Sequence, residues 1–141
     1  MPPIVSTIDI DRPPAEVFAF VTDPARFPQW QKDVVRVDVA GDGRFTTTRR
    51  IGRTERTMTQ VVTDDSPPHT WSARGVDGPI RPAASVTVEP AGTGSRVTFS
   101  LDFEGRGIGV PLLPLVRRQA RQGAPVSYRN VKRLLEASHQ A

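Results

Sequence analysis

With 141 residues, 37% of them hydrophobic, and no cysteine, the chain is expected to form a single domain over residues 1–141 with one modest core, and to carry no disulfide and no thiol chemistry. No apolar run reaches the length of a membrane span, and the start, Met1-Pro2-Pro3-Ile4, lacks the basic and apolar regions of a signal peptide, so a cytoplasmic location is expected. The net charge of +4 comes almost wholly from arginine, since Lys32 and Lys132 are the only lysines; aromatics are not interleaved with the basic residues, so no specific nucleic-acid binding is expected.

Residues 4–10 are β-branched and partly alternating and read as strand one. Asp11-Arg12-Pro13-Pro14 breaks the strand, and a short helix is predicted over residues 15–22, with Pro14 suited to its first turn. Asp23 is a good N-cap for a second short helix near residues 24–27, which Pro28-Gln29-Trp30 should end. From Asp33 the pattern alternates: Val35, Val37 and Val39 make strand two, and Gly41-Asp42-Gly43 a hairpin turn. Strands three to six follow at residues 45–51, 56–63, 69–75 and 83–89, separated by Gly52-Arg53, by Asp64 to Pro68, and by further Gly- and Pro-rich turns. Strand seven, residues 96–104, alternates Val97, Phe99, Leu101 and Phe103 with Thr98, Ser100, Asp102 and Glu104, the signature of a half-buried antiparallel strand.

The last stretch, residues 112–138, has apolar residues at Leu112, Leu113, Val116, Ala120, Ala124, Val131, Leu134 and Leu135. Steps of three and four make this a long amphipathic helix. Its other face carries Arg117, Arg118, Arg121, Arg129, Lys132 and Arg133, expected to be solvated. Pro125 costs ~3 kcal/mol in a helix interior and Gly123 ~1 kcal/mol relative to Ala, so a kink or short break is expected there.

The order β-α-α-β-β-β-β-β-β-α, with Asp9-Ile10-Asp11-Arg12-Pro13-Pro14-Ala15-Glu16-Val17-Phe18 followed by Thr22-Asp23-Pro24, Phe27 and Trp30, resembles the polyketide cyclase/dehydrase branch of the START-like (Bet v 1-like, SRPBCC) superfamily over essentially the whole chain. The resemblance implies an α+β helix-grip fold: a seven-stranded curved antiparallel sheet wrapped round the long C-terminal helix, with two short helices between strands one and two. It implies a cavity between sheet and helix with Trp30 near its mouth. It does not imply one function, because one fold hosts many.

Catalytic constellations are scarce. The histidines are His69 and His139, the latter close to the C-terminus and expected to fray. One usable histidine and no cysteine leave no His-rich metal site, and no metal or cofactor is expected. Asp64-Asp65 reads as a turn, and Gly105 to Gly109 as a flexible connector, not a phosphate loop, because no βαβ unit can form. His69 and Trp71 share a strand face if strand five is regular, with His69 expected at the surface. Alternation sends Arg49 and Arg50 to opposite faces, but the hairpin end is expected to be solvated, since a buried unpaired arginine is costly. Tyr128, the lone tyrosine, either offers a hydroxyl to a ligand or lies on the helix surface.

The inward helix face is large near its start, at Leu112, Leu113, Leu115 and Val116, and small at Ala120, Gly123 and Ala124. A concave sheet closing on small residues leaves a space unless long side chains fill it. The expected ligand-binding residues are Trp30, Trp71, Phe99, Phe103, Leu113, Val116, Ala120 and Ala124, holding a small, mainly apolar, lipid- or polyketide-like molecule by area burial. The alternatives are a polyketide cyclase or aromatase-like enzyme, with His69, Tyr128 or an inward arginine polarising a carbonyl, and a protein- or ribosome-interaction module using the basic helix face. A monomer or weak homodimer is expected.

Overall fold

The computed structural model describes residues 3–137, so the expectation for His139 lies outside the described residues. The elements are β1 (Ile4–Ile10), α1 (Pro14–Val21), a 3₁₀ turn (Pro24–Arg26), α2 (Phe27–Trp30), β2 (Val34–Val39), β3 (Arg44–Ile51), β4 (Thr54–Ser66), β5 (Thr70–Gly75), β6 (Ile80–Ala91), β7 (Gly94–Gly105), a second 3₁₀ turn (Gly107–Leu112) and α3 (Leu113–Ala137). The strands form one curved antiparallel sheet in the order β1-β7-β6-β5-β4-β3-β2. Hairpins join β2 through β7 in sequence. Gly43 and Gly52 take φ of 82° and 62° in two of these turns, a region open to glycine and strained for most other residues. β1 and β2 are the sheet's edges, and β2 shifts register between Val34 and Arg36.

The expected fold is present, with local differences. Pro24–Arg26 is a 3₁₀ turn capped by Asp23, whose Oδ1 accepts from the Ala25 N–H at 3.1 Å. Pro28 does not end a helix here: it sits in the first turn of α2, where its missing N–H is harmless. Asp64 and Asp65 belong to β4 and not to a turn, because β4 runs on to Ser66 in pairing with β5. The Asp64 carboxylate accepts from the Thr70 and Ser66 hydroxyls, each at 2.7 Å. Gly107–Leu112 is an ordered 3₁₀ turn where a flexible connector was expected.

Two apolar clusters hold the molecule together. The larger joins Ile10, Val17, Phe18, Val21, Phe27, Trp30, Phe45, Trp71, Val88, Val97 and Phe99 to Val131 and Leu135 of α3. The smaller comprises Ile51, Met58, Ile80 and Val116, with Phe103 and Leu112 packed against it. Helix α3 continues through Gly123 and Pro125 without the break that was expected. Pro125 cannot donate to the carbonyl of Arg121, but both residues are exposed, so that carbonyl can turn to water.

Two assignments on α3 are corrected. Arg117 is buried, not solvated: its Nη2 donates to Asp102 Oδ1 at 2.5 Å and to the Phe103 carbonyl at 3.3 Å. The polar face of β7 supplies that carboxylate, so the charge is matched where it is buried. Burial pushes the Asp102 carboxyl up, but the Phe103 N–H and Arg117 outweigh it and hold the group below its ordinary value. Leu115, expected on the inward face, is 47% exposed, because α3 starts at Leu113 and turns it away from the sheet.

Candidate functional site

The inward residues of β3 are Phe45, Thr47, Arg49 and Ile51, and those of the neighbouring strands include Met58, Gln60, Trp71, Val86, Phe99 and Phe103. They face α3 across a space whose depth the helix sets. At Ala120, Gly123, Ala124 and Ser127 the helix has little to offer, and there a hollow of about 120 Å³ remains, open on one side to solvent. For comparison, a dry apolar cavity of about 150 Å³ accommodates benzene. Trp30, Trp71, Phe99, Phe103, Val116, Ala120 and Ala124 all line it. Leu113 does not; its Cδ1 lies close against Gly105, at the junction of β7 and the helix. A second hollow, of about 270 Å³, is walled only by residues 55–58, Pro79 and Ile80 and gathers no comparable wall.

The aromatic wall is a connected set. Phe27 stands edge-on to Trp30 at 5.8 Å, to Phe45 at 5.8 Å and to Trp71 at 6.2 Å. Trp30 leans on Phe99 at 5.8 Å, and Phe99 stacks on Tyr128 at 4.0 Å with rings 8° apart. Edge-to-face and stacked pairs stabilise by about 0.5–1.5 kcal/mol beyond their buried area. The wall is fixed to the helix by polar ties. The Lys32 N–H donates to Ser127 Oγ at 3.1 Å, and Asn130 Nδ2 donates to the Trp30 carbonyl at 3.4 Å. Gly123 faces Asp33, whose Oδ2 would lie 3.4 Å from a β-carbon at that position, an ordinary contact distance. At the other end, Gln119 joins α3 to the β3–β4 hairpin by accepting from the Gly52 N–H at 2.9 Å and donating to the Arg50 carbonyl at 2.5 Å. The Trp30 Nε1–H is buried without an acceptor among the described residues.

Polar groups enter this lining at one side. Arg49 turns inward while Arg50 is exposed, so only half of the solvated hairpin end is found. Arg49 Nη2 donates to Gln31 Oε1 at 2.6 Å. Burial lowers the proton affinity of the guanidinium, opposed by the nearby Asp33 carboxylate and then by Tyr128. Tyr128 lines the hollow, and burial pushes its hydroxyl up to about 12, with the Arg49 charge pulling the other way, so the phenol is a neutral donor at physiological pH. Gln60 is buried, and one end of its carboxamide is fixed by Thr47 Oγ1 at 3.0 Å. His69 is exposed at the end of β5 and does not line the hollow. Among the described residues, no three His, Cys, Asp or Glu side chains gather as metal ligands. No helix of the described residues is long and apolar enough to cross a membrane.

Sequence reasoning missed Gln31, Asp33 and Gln60 as lining residues. A signal for Arg49 existed: Phe45, Thr47, Arg49 and Ile51 occupy alternate positions of one strand, so the apolar ends of that set predict an inward arginine.

Solved structures with this architecture are numerous. A protein from Thermus thermophilus superimposes with a TM-score of 0.79 at 21% identity, over 97% of this chain and 99% of its own. A protein from Deinococcus radiodurans gives 0.75 at 19% identity, over 98% and 99%. The di-domain ARO/CYC BexL from the BE-7585A biosynthetic pathway gives 0.73 at 19% identity, over 96% of this chain but 47% of its own. At these identities the likeness is one of fold. No curated protein matches the sequence. The model of the polyketide cyclase/dehydrase and lipid transport family matches residues 1–136, and with the curved sheet, the long helix and the hollow between them in place, the chain belongs to that family.

Proposed function

We propose that the protein binds one small, mainly apolar molecule in the hollow between the sheet and α3, acting as a single-domain cytoplasmic binding protein. The observation that carries this reading is the aromatic wall of Trp30, Trp71 and Phe99 standing opposite Ala120, Gly123 and Ala124, with space left between. Apolar surface removed from water contributes ~25 cal/mol per Å², which favours uptake of a one-ring compound or a short chain. Phe103 and Val116 would close the far end of the site, and Ala124 would floor it.

A cyclase reading draws on the family and on the inward Arg49 and Tyr128, which face the same hollow. Binding without turnover is favoured because a hollow of about 120 Å³ holds far less than a folded poly-β-keto chain. The test is native mass spectrometry of freshly purified protein, followed by titration with an apolar fluorescent probe. A retained small mass or saturable uptake of one probe per chain is expected. Absence of both overturns the proposal.

A further inference from the structure

Lys32, Asp33 and Arg49 are the charged residues that line this hollow, and none of them forms an ion pair among the described residues; Lys32 is exposed, whereas Arg49 is turned inward. Eight arginines lie within 4.0 Å of a carboxylate and others are unpaired at the surface; Arg49 is the arginine that lines the hollow, half-buried on the inner face of β3 with no carboxylate within 4.0 Å. Its single protein hydrogen bond among the described residues leaves from Nη2 to Gln31. The Nε and Nη1 donors meet no protein acceptor among the described residues and are not fully buried, and Arg49 lines the hollow. The same holds for the Tyr128 hydroxyl and for the end of Gln60 that Thr47 leaves free. Asp33 is near enough to act on Arg49 through its charge, but forms no ion pair with it. The side is therefore rich in donors, and one of them is a guanidinium fork that is partly desolvated and unmatched. A group that only accepts hydrogen bonds and carries negative charge fits that set, and a carboxylate fits the fork geometry.

We infer that this side of the hollow is a carboxylate receptor, so that the molecule bound is a small amphipathic acid with its apolar body on the aromatic wall and its carboxylate at Arg49. The inference rests on the binding reading above and narrows it to a ligand class. Tyr128 and Gln60 add neutral hydrogen bonds around the acid or its adjoining atoms. Asp33 limits the affinity by repulsion and selects against ligands that carry a second negative charge.

The test compares trans-cinnamate with cinnamyl alcohol, which share one skeleton and differ in the terminal group, by isothermal titration calorimetry at pH 7. A charge-assisted fork predicts that the wild-type protein binds the acid at least about tenfold more tightly than the alcohol. Arg49→Gln should abolish that preference and leave alcohol affinity within about twofold. Asp33→Asn should strengthen acid binding several-fold without changing the alcohol. Arg49→Lys keeps the charge without the fork and should retain a reduced preference; it replaces Arg49→Gln if the latter fails to fold in a thermal melt. Equal affinity for acid and alcohol, a preference that survives in Arg49→Gln, or an undiminished preference in Arg49→Lys overturns the carboxylate receptor while leaving the apolar site standing. If the wild-type protein binds neither compound, the binding reading falls with it.

Discussion

Around the C-terminal half of α3, Val131 and Leu135 are embedded in a continuous cluster with Ile10, Val17, Phe18, Val88 and Val97. Around its N-terminal half only Val116 is buried among apolar neighbours, in the separate group of Ile51, Met58 and Ile80. Between them Ala120, Gly123, Ala124 and Ser127 are too short to bridge to the sheet, and the hollow occupies the gap. One helix thus serves as core at one end and as the floor of the hollow in the middle. Side-chain size along a single face separates the two roles. The dense end supplies stability through close packing, where each lost methylene is felt. The open middle contributes little and can be rebuilt with little loss.

This contrast can be broken most severely at Phe99, which belongs to the dense cluster and also faces the hollow. Phe99→Ala is expected to cost about 3–5 kcal/mol by urea denaturation, against about 2 kcal/mol for Met58→Ala in the smaller cluster. A loss under about 1 kcal/mol at Phe99 would show that β7 does not anchor the packed end. The next largest effect concerns how the N-terminal half of α3 is held without a large core. Asp102→Ala strands the buried Arg117 charge and should cost about 2–3 kcal/mol, while Asp102→Asn, which keeps one acceptor, should cost less. Equal costs would mean that charge is not what matters there.

Filling the gap is the sharper test of the open middle. Ala120→Trp should change stability by less than about 1 kcal/mol and abolish uptake of an apolar fluorescent probe. Unfolding of the variant would mark the region as packed core.

The smallest effect lies at the far end of the helix. Glu136 accepts from Lys132 Nζ at 2.8 Å and from the Asp11 N–H at 2.9 Å, and Lys132 also donates to the Asp9 carbonyl at 2.7 Å. Lys132 first, then Asp11, hold the Glu136 carboxyl below its ordinary value of 4.5. A carboxylate depressed in the folded state contributes stability that is present above its unfolded pKa and is lost as pH falls through the folded one. Glu136→Gln should therefore be slightly less stable than the wild type at pH 7, by less than about 1 kcal/mol, and the gap should close as acid protonates the folded-state carboxyl. A gap that persists in acid would assign the effect to packing.

The fold was legible because its signals are periodic. Val97, Phe99, Leu101 and Phe103 mark an inward strand face by period two, and Val116, Ala120, Ala124, Val131 and Leu135 mark the helix stripe by steps of about 3.6. The hollow was legible from a deficit of volume at Ala120, Gly123 and Ala124. The polar side was not. Arg49 and Gln60 sit at inward positions, but alternation says which face a residue takes and nothing of whether a buried charge finds a partner. Asp33 and Gln31 come from the irregular segment between α2 and β2, which has no period to read. Arg117 was misplaced for a related reason. Helical spacing puts it beside Arg118 and Arg121, and only the pairing of sheet with helix shows that Asp102 stands opposite it.

At β2 the sheet simply ends, and a bare strand edge is a template on which any other extended chain can pair. The register shift between Val34 and Arg36 disturbs that edge just where a straight ladder would be most inviting. The exposed Val35 and Val39 alternate with the charged Arg36 and Asp38, which pair with each other at 3.3 Å. These residues do not line the hollow. A bulge and two charges at the rim of the sheet are the features by which an edge strand resists pairing with another extended chain.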